Sequence, residues 1–109
     1  QYAPGSFEIP FIINNNLKFY DGFIALGCII RGETYHFELI ANEVARKIMD
    51  LSINSKKPIG FGIITCENIN QATKRSSNSS NGNNKGKEAA IACIKTIYDF
   101  YWFFIIKLI

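Results

Sequence analysis

The stretch Phe23-Ile-Ala-Leu-Gly-Cys-Ile-Ile-Arg-Gly-Glu-Thr-Tyr-His-Phe37 decides how this chain of 109 residues folds. Its opening run, up to Ile30, is apolar without alternation, as expected of a strand buried on both faces in a parallel sheet. Gly32 turns the chain, and a different period begins. Phe37, Ile40, Ala41, Val44, Ile48 and Leu51 form one stripe at the spacing of an amphipathic helix. After the polar break at residues 54–57, Pro58 leads into Ile59-Gly-Phe-Gly-Ile-Ile-Thr65, which is again strand-like. Its two glycines point to close approach by another backbone or a ligand. Strand, helix and strand in this order predict a parallel α/β sheet with a right-handed crossover.

Working outward, residues 67–75 read as a short helix with Ile69 and Ala72 as its apolar side. A Ser/Asn/Gly-rich loop follows over residues 76–84, and a long helix begins at Gly86. Upstream, residues 5–10 look like a strand end running into a turn, and residues 11–19 like a short helix. The chain is 48% hydrophobic and 19% charged, which excludes disorder except locally and leaves one compact domain over residues 1–109. Its 12 basic and 9 acidic side chains are scattered rather than clustered, which argues against a nucleic-acid partner. Lys95, Asp99 and Lys107 interrupt the last helix, which argues against a membrane span. Residues 100–109 are unusually apolar and suit a helix buried against other subunits. Three widely spaced cysteines and one histidine form no recognisable metal-ligand set and fit a reduced, cytoplasmic setting.

Chemistry is most readily placed where the first strand empties into the helix, because ligands of open α/β sheets bind at the carboxyl ends of the strands. Thr34 stands where it would cap that helix, and the free N–H groups of the first turn suit an anion such as phosphate. Arg31 or a distant arginine could complete the site. The same residues also fit a plain turn at Gly32 and a plain cap at Thr34. His36, the only histidine, lies in the same first turn, where a neutral ring could accept a proton near neutral pH, although a lone histidine is more often an ordinary surface or satisfied residue. Glu8 by itself is an ordinary carboxylate, and Arg75 at a helix end an ordinary dipole partner. Lys85, at a helix start where a cation is unfavourable, hints at use elsewhere.

Four segments together resemble the 6,7-dimethyl-8-ribityllumazine synthase family. They are Pro4-Gly-Ser-Phe-Glu-Ile-Pro10, Gly27-Cys-Ile-Ile-Arg-Gly-Glu-Thr-Tyr-His-Phe37, Pro58-Ile-Gly-Phe-Gly-Ile-Ile-Thr65 with Glu67-Asn-Ile-Asn-Gln71, and Asn84-Lys-Gly-Lys-Glu-Ala-Ala90. The resemblance implies a three-layer α/β/α sandwich of flavodoxin-like type, with strand order 2-1-3-4. It implies a cofactor-free transferase of riboflavin biosynthesis. That enzyme condenses 5-amino-6-(D-ribitylamino)uracil with 3,4-dihydroxy-2-butanone 4-phosphate to give the lumazine, phosphate and water. By the same resemblance Ser6, Phe7 and Glu8 hold the ribityl chain and pyrimidine, while Cys28, Ile29 and Ile30 line the heterocycle site through their backbone. Glu33, Thr34 and Arg75 match the phosphate-binding positions, and His36 matches the proton-transfer histidine. Phe61, Arg75 and Lys85 are implied to reach the site from the neighbouring subunit of a homopentamer.

The chain also departs from the family pattern. It opens on Gln1, and the family's first strand, stacking aromatic residue and first helix do not precede Gly5. This leads us to expect a native protein longer at its N-terminus, and a 109-residue chain that is marginal or inactive alone. The loop between Arg75 and Lys85 is slightly longer than in shell-building members, which favours isolated pentamers over icosahedral shells. Two alternatives remain at this stage: a flavodoxin-like module that binds phosphate or flavin without catalysis, and a degenerate structural subunit.

Overall fold

A computed structural model describes residues 1–78 and 83–108, with side chains described up to residue 99. The elements are α1 (Ile9–Asn16), β1 (Phe23–Ile30), α2 (His36–Ser55), β2 (Ile59–Cys66), α3 (Ile69–Arg75) and α4 (Lys85–Leu108). Short 3₁₀ turns at Ser6–Glu8 and Leu17–Phe19 flank α1. β1 and β2 pair in parallel from Phe23 opposite Ile59 to Ile30 opposite Cys66.

Side chains alternate across the strands, so this register sorts the core into two layers. On one face Ile13 of α1, Ala25, Ile63, and Val44 and Ile48 of α2 form a single buried cluster. Val44 and Ile48 come from the centre of the stripe that predicted the helix. On the other face Ile64 and Cys66 pack with Ala72 of α3, while Ala89 and Cys93 bury α4 against β2. A methyl group at Gly60 would run into the backbone carbonyl of Ala89, so α4 lies nearly backbone to backbone on β2. That contact is the close approach the glycines of this strand foreshadowed. The result is an α/β/α arrangement around a parallel sheet, as expected of a flavodoxin-like domain.

Three expectations change. Residues 5–10 form no strand: Glu8 N–H turns back to the Gly5 carbonyl at 3.3 Å, and α1 starts at Ile9. Pro10 stands in the first turn of α1, where its missing N–H costs nothing and its fixed φ suits a helix. The helix therefore runs Ile9–Asn16 rather than over residues 11–19. Nor is β1 buried on both faces. Ile24, Leu26, Cys28 and Ile30 are exposed, because α4 lies mainly along β2 and leaves that face of β1 open.

Among the described residues the sheet has two strands. The outer edge of β1 borders a cleft of about 800 Å³, walled by α1 and the chain before it. No helix among the described residues is long and apolar enough to cross a membrane. The lengthened loop, through residues 79–82, and the apolar side chains of 100–109 lie outside the described residues.

Candidate active site

The two strand exits are level, because Arg31 N–H donates to the Cys66 carbonyl at 2.8 Å and extends the ladder one residue past β1. From there residues 31–36 cross to the start of α2. The N-cap residue is Tyr35, which makes no side-chain capping bond. Thr34, expected as the cap, stands one position early, and its Oγ1 accepts from His36 N–H at a long 3.5 Å. Among the described residues the first-turn N–H groups therefore remain largely free, which is the property that suits an anion.

A cleft of about 320 Å³ opens at this point, and Ser6, Cys28, Ile29, Ile30, Thr34 and His36 all line it, together with Gly32, Phe37 and Ile40. Ser6 arrives there because the Ser6–Glu8 turn lies on β1; a methyl at Gly27 would stand 2.8 Å from Ser6 Oγ. Although Cys28 is largely exposed, partial desolvation, and next the Cys66 thiol beside it, push its thiol up from the ordinary value, against a weaker pull from Arg75. Phe7, Glu8 and Glu33 are exposed and stand outside this lining.

A second cleft, of about 420 Å³, lies along β2 and brings Phe61, Arg75 and Lys85 together, with Glu38 and Thr65 also in its wall. Arg75 Nη1 donates to the Thr65 carbonyl at 2.7 Å and lies 4.0 Å from Cys66 Sγ. Lys85 Nζ pairs with Glu88 at 2.9 Å. Of all these side chains only Phe37 lines both clefts. The candidate residues therefore divide into two groups, one around the exit of β1 and one along β2.

One cluster escaped the sequence reading. Arg31 is held by Glu38, in the first turn of α2, and by Glu67 just past β2, so its charge is already matched by carboxylates. It is not the open phosphate partner it could have been. The Glu38 pairing, seven residues on, leaves a faint sequence signal; Glu67, 36 residues away, leaves none. Among the described residues no three His, Cys, Asp or Glu side chains could hold a metal ion between them.

Comparison with known proteins gives the same direction as the geometry. The family model described as 6,7-dimethyl-8-ribityllumazine synthase matches residues 1–99. A 6,7-dimethyl-8-ribityllumazine synthase of Bartonella henselae is 51% identical over 78 residues, covering 68% of this chain and 50% of its own length. Those of Agrobacterium fabrum and Limosilactobacillus reuteri are 49% and 48% identical, covering 67% and 69% of this chain and 54% and 51% of their own. The chain thus spans about half the length of the curated relatives it matches. With a family match across nearly the whole sequence, the chain belongs to the 6,7-dimethyl-8-ribityllumazine synthase family.

Proposed function

We propose that this chain serves riboflavin biosynthesis as a lumazine synthase, condensing 5-amino-6-(D-ribitylamino)uracil with 3,4-dihydroxy-2-butanone 4-phosphate. The observation that carries this reading is the convergence of Ser6, Cys28, Ile29, Ile30, Thr34 and His36 on one cleft at the exposed start of α2. The amine of the uracil adds to the ketone and water leaves, giving a Schiff base; phosphate is then eliminated, and the ribityl-bearing nitrogen closes the ring on the remaining carbonyl carbon, expelling a second water to complete the lumazine. No cofactor is called for, since a nucleophilic amine and a ketone already carry the needed reactivity. Holding the two in register supplies most of the acceleration, on the order of 7–11 kcal/mol for well-oriented reactants. His36 moves protons during imine formation and phosphate loss. The backbone groups of Glu33 and Thr34 and the first-turn N–H groups of α2 receive the phosphate, with Arg75 as its guanidinium partner.

The division into two clefts supports a further step. In this reading Phe61, Arg75 and Lys85 of one copy complete the site around His36 of the next, in a cytoplasmic homopentamer. Ser6, Phe7 and Glu8 take the ribityl chain and pyrimidine.

The test is direct. Protein is mixed with both substrates and lumazine fluorescence is followed above the uncatalysed background, with the oligomeric state read by sedimentation. Turnover that saturates in both substrates supports the reading. Orthophosphate or flavin binding without product overturns it in favour of a non-catalytic module.

A further inference from the structure

The segment from Arg31 to His36 is exposed throughout, and a side chain at Gly32 would meet nothing within 4 Å. Its helix begins without a side-chain cap, and the Thr34 contact is long. Local bonding therefore does little to hold the residues assigned to phosphate and proton transfer. One side chain reaches across the gap. The Arg31 backbone is tied to Cys66 at the end of β2, and its Nε meets Glu67 Oε2 at 2.8 Å. Its Nη1 is bonded to Glu38 in the first turn of α2, and the guanidinium carbon lies 4.4 Å from the centre of the Phe37 ring. A planar fork can hold two carboxylates and stack at once, which a single ammonium cannot.

We propose that Arg31 is a positioning residue: by clamping the first turn of α2 to the exit of β2 it sets Thr34 and His36 for the phosphate-bearing substrate. Because Glu38 and Glu67 together outweigh its charge, Arg31 does not itself take the phosphate. The contacts of Arg75 among the described residues are to neutral atoms, which leaves that guanidinium for the anion. The inference rests on the lumazine synthase reading for its kinetic consequence, but the clamp can be measured without substrate.

Two variants of the full chain, R31Q and E67Q, are compared with the double variant and with R31K. Leu39 N–H, bonded to Tyr35 O at 3.2 Å, reports on the first turn of α2. Its hydrogen exchange should quicken about tenfold in R31Q and about fivefold in E67Q, the range of exposed charge pairs acting together, with the amides of β2 unchanged. In steady state both variants should raise KM for the butanone phosphate by similar factors and lower kcat, while KM for the uracil stays within about twofold. The double variant should be no worse than R31Q, and R31K should rescue little. Unchanged Leu39 exchange, or KM values for both substrates rising together, would overturn the proposal. E67Q keeps Arg31 in place and answers the question if R31Q does not fold. A parent chain that makes no lumazine, yet shows the exchange change, would overturn the catalytic reading and leave the clamp standing.

Discussion

Arg75 Nη1 donates to the backbone carbonyl of Thr65 at 2.7 Å, so the last turn of α3 is fastened to the strand that precedes it. A carbonyl holds one N–H of the guanidinium and leaves the others for an anion. Arg75→Ala should therefore cost the charge-assisted bonds to phosphate, about 1.5–3 kcal/mol, or a tenfold or greater rise in KM for the butanone phosphate. Steady-state kinetics with each substrate varied in turn will check this, and an unchanged KM would remove Arg75 from the site.

His36 is the first residue of α2 and is exposed in its cleft, so its removal disturbs little packing. His36→Ala should lower kcat by roughly 10²-fold or more while assembly and melting temperature are kept. Single-turnover measurement of lumazine formation separates this from a binding defect.

Arg31 holds the Glu38 carboxyl below its usual range, chiefly through the hydrogen bond it donates. A depressed carboxyl stabilises the fold above its unfolded value and loses that contribution as pH falls through the folded one. The clamp should therefore weaken as pH drops below about 4.5 and be lost under more acid conditions. Thermal melts across that window should show a loss in the parent chain that is visibly smaller in Arg31→Gln.

Gly60 lets α4 lie against β2. Gly60→Val places branched carbons where the Ala89 carbonyl now stands, and overpacking of this kind costs about 1–3 kcal/mol or more. Urea unfolding should show it, and Gly32→Ala, where nothing is near, serves as the contrast.

The outer edge of β1 is unpaired among the described residues, and Ile24 is 44% exposed beside it. Such an edge favours association. Ile24→Lys should reduce concentration-dependent self-association of the chain, read by sedimentation velocity.

Much of the fold was legible because its signals are local. The stripe through Val44 and Ile48 states a period that only a helix satisfies, and the glycine pair of β2 marks a close approach without saying whether a backbone or a ligand makes it. The start of α1 was misread because Pro10 fits equally a strand's end and a helix's first turn, and the choice between them depends on what lies alongside. The exposed face of β1 had no signature, since an apolar run looks the same whether or not a helix covers it.

The sequence by itself determined the βαβ unit, the family and the identity of the candidate residues, because periodicity and motif order are properties of neighbours along the chain. Only the tertiary structure decided that Ser6 joins His36 while Arg75 joins Phe61, and that Arg31 is spent on Glu38 and Glu67. Apart from Arg31 with Glu38, those residues lie 14 to 36 positions apart in the chain, so only the packing of separate elements brings them together.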